Sequence, residues 1–134
     1  MNSSTALVDV TSSKYQVGQV WKYKNRPNED KSTVTVVKVE LQHSKAVVVH
    51  VAVSKVKLHA EEPNAENEIS HMPFSEDALD SSVTELLDVV VDLPDFEEGY
   101  ETWKESFMRG EAGFFSVSVA QAVDFIDRTI NSCE

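Results

Sequence analysis

Residues 32–58 read Ser32-Thr-Val-Thr-Val-Val-Lys-Val-Glu-Leu41, then Gln42-His-Ser-Lys45, then Ala46-Val-Val-Val-His-Val-Ala-Val-Ser-Lys-Val-Lys-Leu58. No other stretch is so dense in β-branched side chains, which lose χ1 freedom in a helix and fit a pleated surface. Two antiparallel strands joined by a short polar loop are expected. In the second strand Val47, Val49, Val51 and Val53 share one face, and Val48, His50 and Ala52 the other. Apolar residues on both faces imply cover on both sides. In the first strand Val34 and Val36 hold one phase, whereas Val37, Val39 and Leu41 hold the other. A one-residue slip turns every later side chain over, so a β-bulge is expected near Val36 and Val37. A second slip between Val53 and Val56 points to a later bend. Such strands belong to a strongly twisted antiparallel sheet or a small, partly open β-barrel.

Flanking segments extend this body. Residues 1–13 are Ser/Thr-rich and aperiodic and are expected to be disordered or a loose arm, with residues 14–134 as a single α+β domain. Gly18 marks a turn or a close backbone approach before the strand containing Trp21 and Tyr23. Residues 59–67 form a polar, acidic loop. Glu68 to Phe74 is a short strand, ended by Pro73. Ser75 is a helix N-cap, and Leu79, Val83, Leu86, Leu87 and Val90 recur at helical spacing, although Asp80-Ser-Ser should shorten or break that helix. Asp95 and Glu98 have capping-box spacing. Phe96, Tyr100, Trp103 and Phe107 then make one face of a helix ending at Gly110. A short strand near Phe114 and Phe115 precedes a last helix capped by Ser118 and Gln121, with Val119, Ala122, Val123, Ile126 and Ile130 as its stripe. Strands first and about three helices after them make the fold class α+β.

Charge is distributed unevenly. The net charge is −11. Residues 1–58 carry nine bases against four acids, and residues 59–134 three bases against nineteen acids. An anionic half accelerates association with cationic surfaces. Chemistry is harder to find. His43, His50, His59 and His71 contain no i, i+4 pair, and the one cysteine, Cys133, has no mate, so no metal site and no cofactor are assigned. His50 is expected to be a hydrogen-bonded core histidine. His71 is placed in the strand-to-helix corner near Glu76 and Asp77. There is no Gly-x-Ser-x-Gly, no phosphate-binding glycine loop and no Walker lysine, so no catalytic residue is assigned. A free thiol, no signal segment and no apolar run of ~18 residues point to a cytoplasmic protein with no membrane attachment.

Three pieces carry a resemblance: Gly18-Gln-Val-Trp-Lys-Tyr, His71-Met-Pro-Phe-Ser-Glu-Asp-Ala-Leu, and Phe96-Glu-Glu-Gly-Tyr-Glu-Thr-Trp followed by Ala112-Gly-Phe-Phe. They resemble a family of small bacterial proteins known only as hypothetical. The likeness covers nearly the whole chain after Tyr15 and implies no activity. The expectation from the residues is a non-enzymatic binding or inhibitory module of the immunity-protein kind. It would hold a basic protein partner on Asp95, Glu97, Glu98, Glu101 and Glu105, with His71 nearby and the loop acids Glu61, Glu62, Glu66 and Glu68 in support. Two alternatives stand beside it. One is a small-ligand binder or enzyme with a pocket near His71, Trp21 and Trp103. The other is single-stranded nucleic-acid binding by Lys22, Lys24, Arg26, Lys55 and Lys57 with Trp21 and Tyr23, which the acidic half opposes. An exposed sheet edge would also serve a homodimer.

Overall fold

A computed structural model describes residues 7–9, 13–27, 29–42, 46–58 and 67–131. The elements are β1 (Leu7–Asp9), β2 (Gln19–Tyr23), β3 (Thr33–Gln42), β4 (Ala46–Val56), β5 (Asn67–Ser75), α1 (Glu76–Ser82), β6 (Val83–Val89), α2 (Glu97–Met108) and α3 (Val119–Asn131). The strands form one open antiparallel sheet in the order β5-β4-β3-β2-β6, and β1 pairs with the far end of β3. The fold is α+β.

The hairpin forms from β3 and β4, with Gln42 opposite Ala46 and Val34 opposite Val53. Its register shifts between Val36 and Lys38, which leaves Val37 as the extra residue of a bulge. That shift puts Val34, Val36, Val39 and Leu41 on one face despite their mixed phase in the sequence. The later bend occurs too: the β4–β5 register shifts on both sides of Val53, and Lys55 adopts a φ of +56°.

The sheet has two unlike faces. On one, Val34, Val36, Val49, Val51, Met72 and Phe74 pack with Ala78 and Leu79 of α1 and with Val119, Ala122 and Val123 of α3. The other carries Glu40, His50 and His71 and lies under α2. Near one end, Arg26 pairs with the buried Glu29 and with Asp124 and Asp127 of α3, tying the β2–β3 turn to the last helix.

Five local readings are corrected. The helix from Ser75 keeps its cap, Ser75 accepting from the Ala78 amide, but ends at Ser82. Residues 83–89 are strand β6, because the open edge of β2 supplies hydrogen bonds that β-branched Val83, Thr84 and Val89 suit better than a helix. Pro73 does not end β5, whose register runs on to Ser75. The Pro73 carbonyl points outward to the Phe115 amide, so its missing N–H falls on the side away from β4. The short strand around Phe115 is a single bridge to Phe74. Finally, α2 starts at Glu97 with Phe96 as N-cap, and no side chain caps it, so Asp95 and Glu98 make no capping box.

Other signals hold. Ser118 and Gln121 exchange cap bonds, the Gln121 amide donating to Ser118 Oγ and the Ser118 amide to Gln121 Oε1. Gly110, at φ +76°, closes α2 with the Gly110 amide on the Phe107 carbonyl and the Glu111 amide on that of Ser106. Within residues 1–13, expected to be disordered or a loose arm, Leu7–Asp9 instead pairs with β3 beyond the end of β2. The acidic loop acids Glu61, Glu62 and Glu66, with His43, His59 and Cys133, lie outside the described residues.

Candidate functional site

Helix α2 owes its position to two opposed faces. Tyr100 and Phe107 are buried, and Trp103 and Phe96 are half-buried toward the sheet. Trp103 stacks on Phe107 and donates its indole N–H to the Gly113 carbonyl at 2.7 Å. Gly99 lets the helix come close: a Cβ there would sit 3.1 Å from His71 Cβ and 3.3 Å from Ser70 Oγ.

Beneath the helix runs a chain of polar groups. The Tyr100 hydroxyl donates to Glu40 Oε2 at 2.6 Å. Glu40 Oε1 takes His50 Nε2 at 2.9 Å, and His50 Nδ1 meets His71 Nε2 at 2.8 Å. Glu40 is 3% exposed and His50 fully buried. Burial by itself would push the Glu40 carboxyl up, but hydrogen bonds from His50 and Tyr100 hold it below the ordinary carboxylate range. An ionised Glu40 makes His50 a donor at Nε2. Burial, with His50 beside it, lowers His71 to about 4. Tyr100 and Trp103 meet the His50 ring edge-on, and the Lys38 ammonium lies 5.3 Å from the Tyr100 ring centre. The evident role of these polar groups is to fasten α2 to β3, β4 and β5 through fully satisfied buried groups.

On the outer side, Asp95, Glu97, Glu98, Glu101 and Glu105 are all exposed. Glu97, Glu101 and Glu105 follow one another at i, i+4 and i+8, and Glu98 lies beside them. None of the five makes an ion pair among the described residues, where Lys14, Arg26, Arg109 and Arg128 are matched to other acids. The structure therefore gathers these five acids and separates them from His71. That ring lies under α2 in mid-β5, while Glu76, its expected neighbour, accepts from Ser13 Oγ instead.

The alternative sites fare differently. An open groove lies between β5 and α2, lined by Ser70, Asp95, Glu98, Gly99 and Thr102. Trp21 is across the sheet from it, because Trp21 pairs with Val34 and packs with the α1–α3 side. Trp21 and His71 therefore share no pocket. Tyr23 is 2% exposed, with its hydroxyl on Ser32, so it cannot stack on a base. No cluster of three or more metal-ligating side chains occurs among the described residues. No helix there is long and apolar enough to cross a membrane.

Comparison with protein-family models, with curated proteins and with solved structures found no match.

Glu40 and Tyr100 are the partners that sequence reasoning missed. The signal was present: an acid amid valines on a strand buried on both faces requires donors.

Proposed function

We propose that this chain is a non-enzymatic binding module. In this reading it engages a basic protein partner through the outer face of α2, in the manner of a small inhibitory or immunity protein, in the cytoplasm. One observation carries the reading. Four exposed carboxylates stand together on a helix anchored by its other face, with exposed Asp95 just before its first turn, and none of the five makes an ion pair among the described residues. Exposed, unpaired charge of one sign on a rigid element costs stability through self-repulsion and accelerates encounter with the opposite sign. The buried chain from Tyr100 to His71 supports the reading by holding that helix in place without conformational adjustment.

The test is affinity capture from the source cell at low and high salt, with wild-type protein and with Glu97→Lys/Glu101→Lys/Glu105→Lys. A protein retained by the wild type at low salt, released by salt and absent from the variant is the expected result. Identical captures by the two proteins would overturn the assignment.

A further inference from the structure

Strand β6 is an edge with unusual exposure. It pairs with β2 on one side, and nothing among the described residues pairs with its other side. Six of its seven residues are exposed. Leu86, Leu87 and Val89 are 43%, 48% and 62% accessible, Val91 just beyond is 94% accessible, and the neighbouring Val17 is 50% accessible. Eight large apolar residues are exposed in the described chain, and five of them are these. Concentration at one place distinguishes this patch from the scattered apolar exposure of ordinary surfaces. Sequence Val83-Thr-Glu-Leu-Leu-Asp-Val89 contains no lysine or proline, the residues that commonly guard an edge. Its guards are Glu85, Asp88 and two register shifts against β2, which leave Thr84 and Leu87 as extra residues.

We propose that β6 pairs antiparallel with β6 of a second copy, making the protein a homodimer with a sheet continuous across the two-fold axis. The sequence of β6 is what selects a second copy as the occupant. An antiparallel pair centred on Leu86 sets Leu86 against Leu86, Val83 against Val89, Glu85 against Leu87 and Thr84 against Asp88. No acid then faces an acid; Leu86 meets its own equivalent and Val89 meets Val83, while Leu87 lies opposite Glu85. A centre at Glu85 would oppose two glutamates, and a register pairing Glu85 with Asp88 would repel twice; like charges directly opposite destabilise a sheet. Backbone hydrogen bonds provide the affinity, and the apolar pairs fix the register. Each copy carries −11, so the dimer forms against long-range repulsion that salt screens. Salt should therefore strengthen it, the opposite of its effect on a basic partner held by α2.

Sedimentation velocity across a concentration series, at low and high salt, tests this directly. The expected result is a monomer–dimer equilibrium that tightens with salt. Leu87→Lys and, separately, Leu86→Lys should weaken it about tenfold or more, with unchanged circular dichroism because both side chains are exposed. In a Cys133→Ser background, Leu86→Cys should form a disulfide-linked dimer under mild oxidation, whereas the equally exposed control Met108→Cys should not. A monomer at every concentration and salt would overturn the proposal. So would a dimer indifferent to both lysine substitutions, which would place the interface elsewhere.

Discussion

Tyr100 contributes a single hydroxyl to Glu40, and that bond joins helix α2 to a strand sixty residues earlier in the chain. Its removal leaves a buried carboxylate with one donor fewer. Tyr100→Phe should therefore lower stability by about 1–3 kcal/mol, read as a shift in the urea midpoint with unchanged slope. The pH dependence follows from the same chain. His71 has a folded value near 4 against an ordinary 6.5, so the unfolded chain binds more protons between them. Stability should be at its full value above about pH 6.5 and fall as the pH drops toward 4. Glu40, also depressed, adds a loss of the same sign at lower pH. Urea midpoints measured at pH 7, 5.5 and 4.5 check this. His71→Asn should flatten the upper part of the fall, and a profile identical to wild type would remove His71 as its source. Of this cluster, His50 was legible in the sequence, because a histidine between valines on a two-faced strand has to be buried and bonded. The link to His71 was not. It depends on the extra residue in β5 between the Ile69 and Met72 pairings, and nothing local in the sequence announces it.

At the scale of elements, strand identity was written in β-branched density, and helix ends were written in caps. The valine hairpin, its bulge, the Ser75 cap and the Ser118–Gln121 box were all legible because each is decided within a few residues. Strand β6 was not. Leu79, Val83, Leu86 and Leu87 fit a helical stripe, and only the open edge of β2, distant in the sequence, decides for extension. Gly18 is the hinge of that pairing. Its amide donates to Val36 and its carbonyl accepts from Val90, at φ +99°, and a Cβ there would clash with the Val90 carbonyl oxygen. Gly18→Ala should cost ~2 kcal/mol or more and loosen β6 from the sheet, seen as faster amide exchange at residues 83–90. Gly110→Ala meets open space at φ +76° and should cost only the backbone term of about 1 kcal/mol. Equal losses at the two positions would contradict the steric argument.

For the whole molecule, the arrangement is a sheet covered on one side by α1 and α3 and on the other by α2. The bases lie largely in the first half of the chain, and unpaired acids crown the last layer. The charge asymmetry was legible from counting alone. Whether the acids would turn inward against the lysines of the sheet was not, because side-chain direction depends on which face of α2 the aromatics claim. Tyr100, Trp103 and Phe107 claim the inner one, and the carboxylates are left outside. The most direct measurement is a titration of the 15N-labelled protein with a short oligolysine peptide, followed by amide chemical shifts. The expected result is a set of saltable shifts confined to residues 95–105 and lost in Glu97→Lys/Glu101→Lys/Glu105→Lys. Shifts spread evenly over all exposed acids, or centred away from α2 and unaffected by those substitutions, would contradict the account.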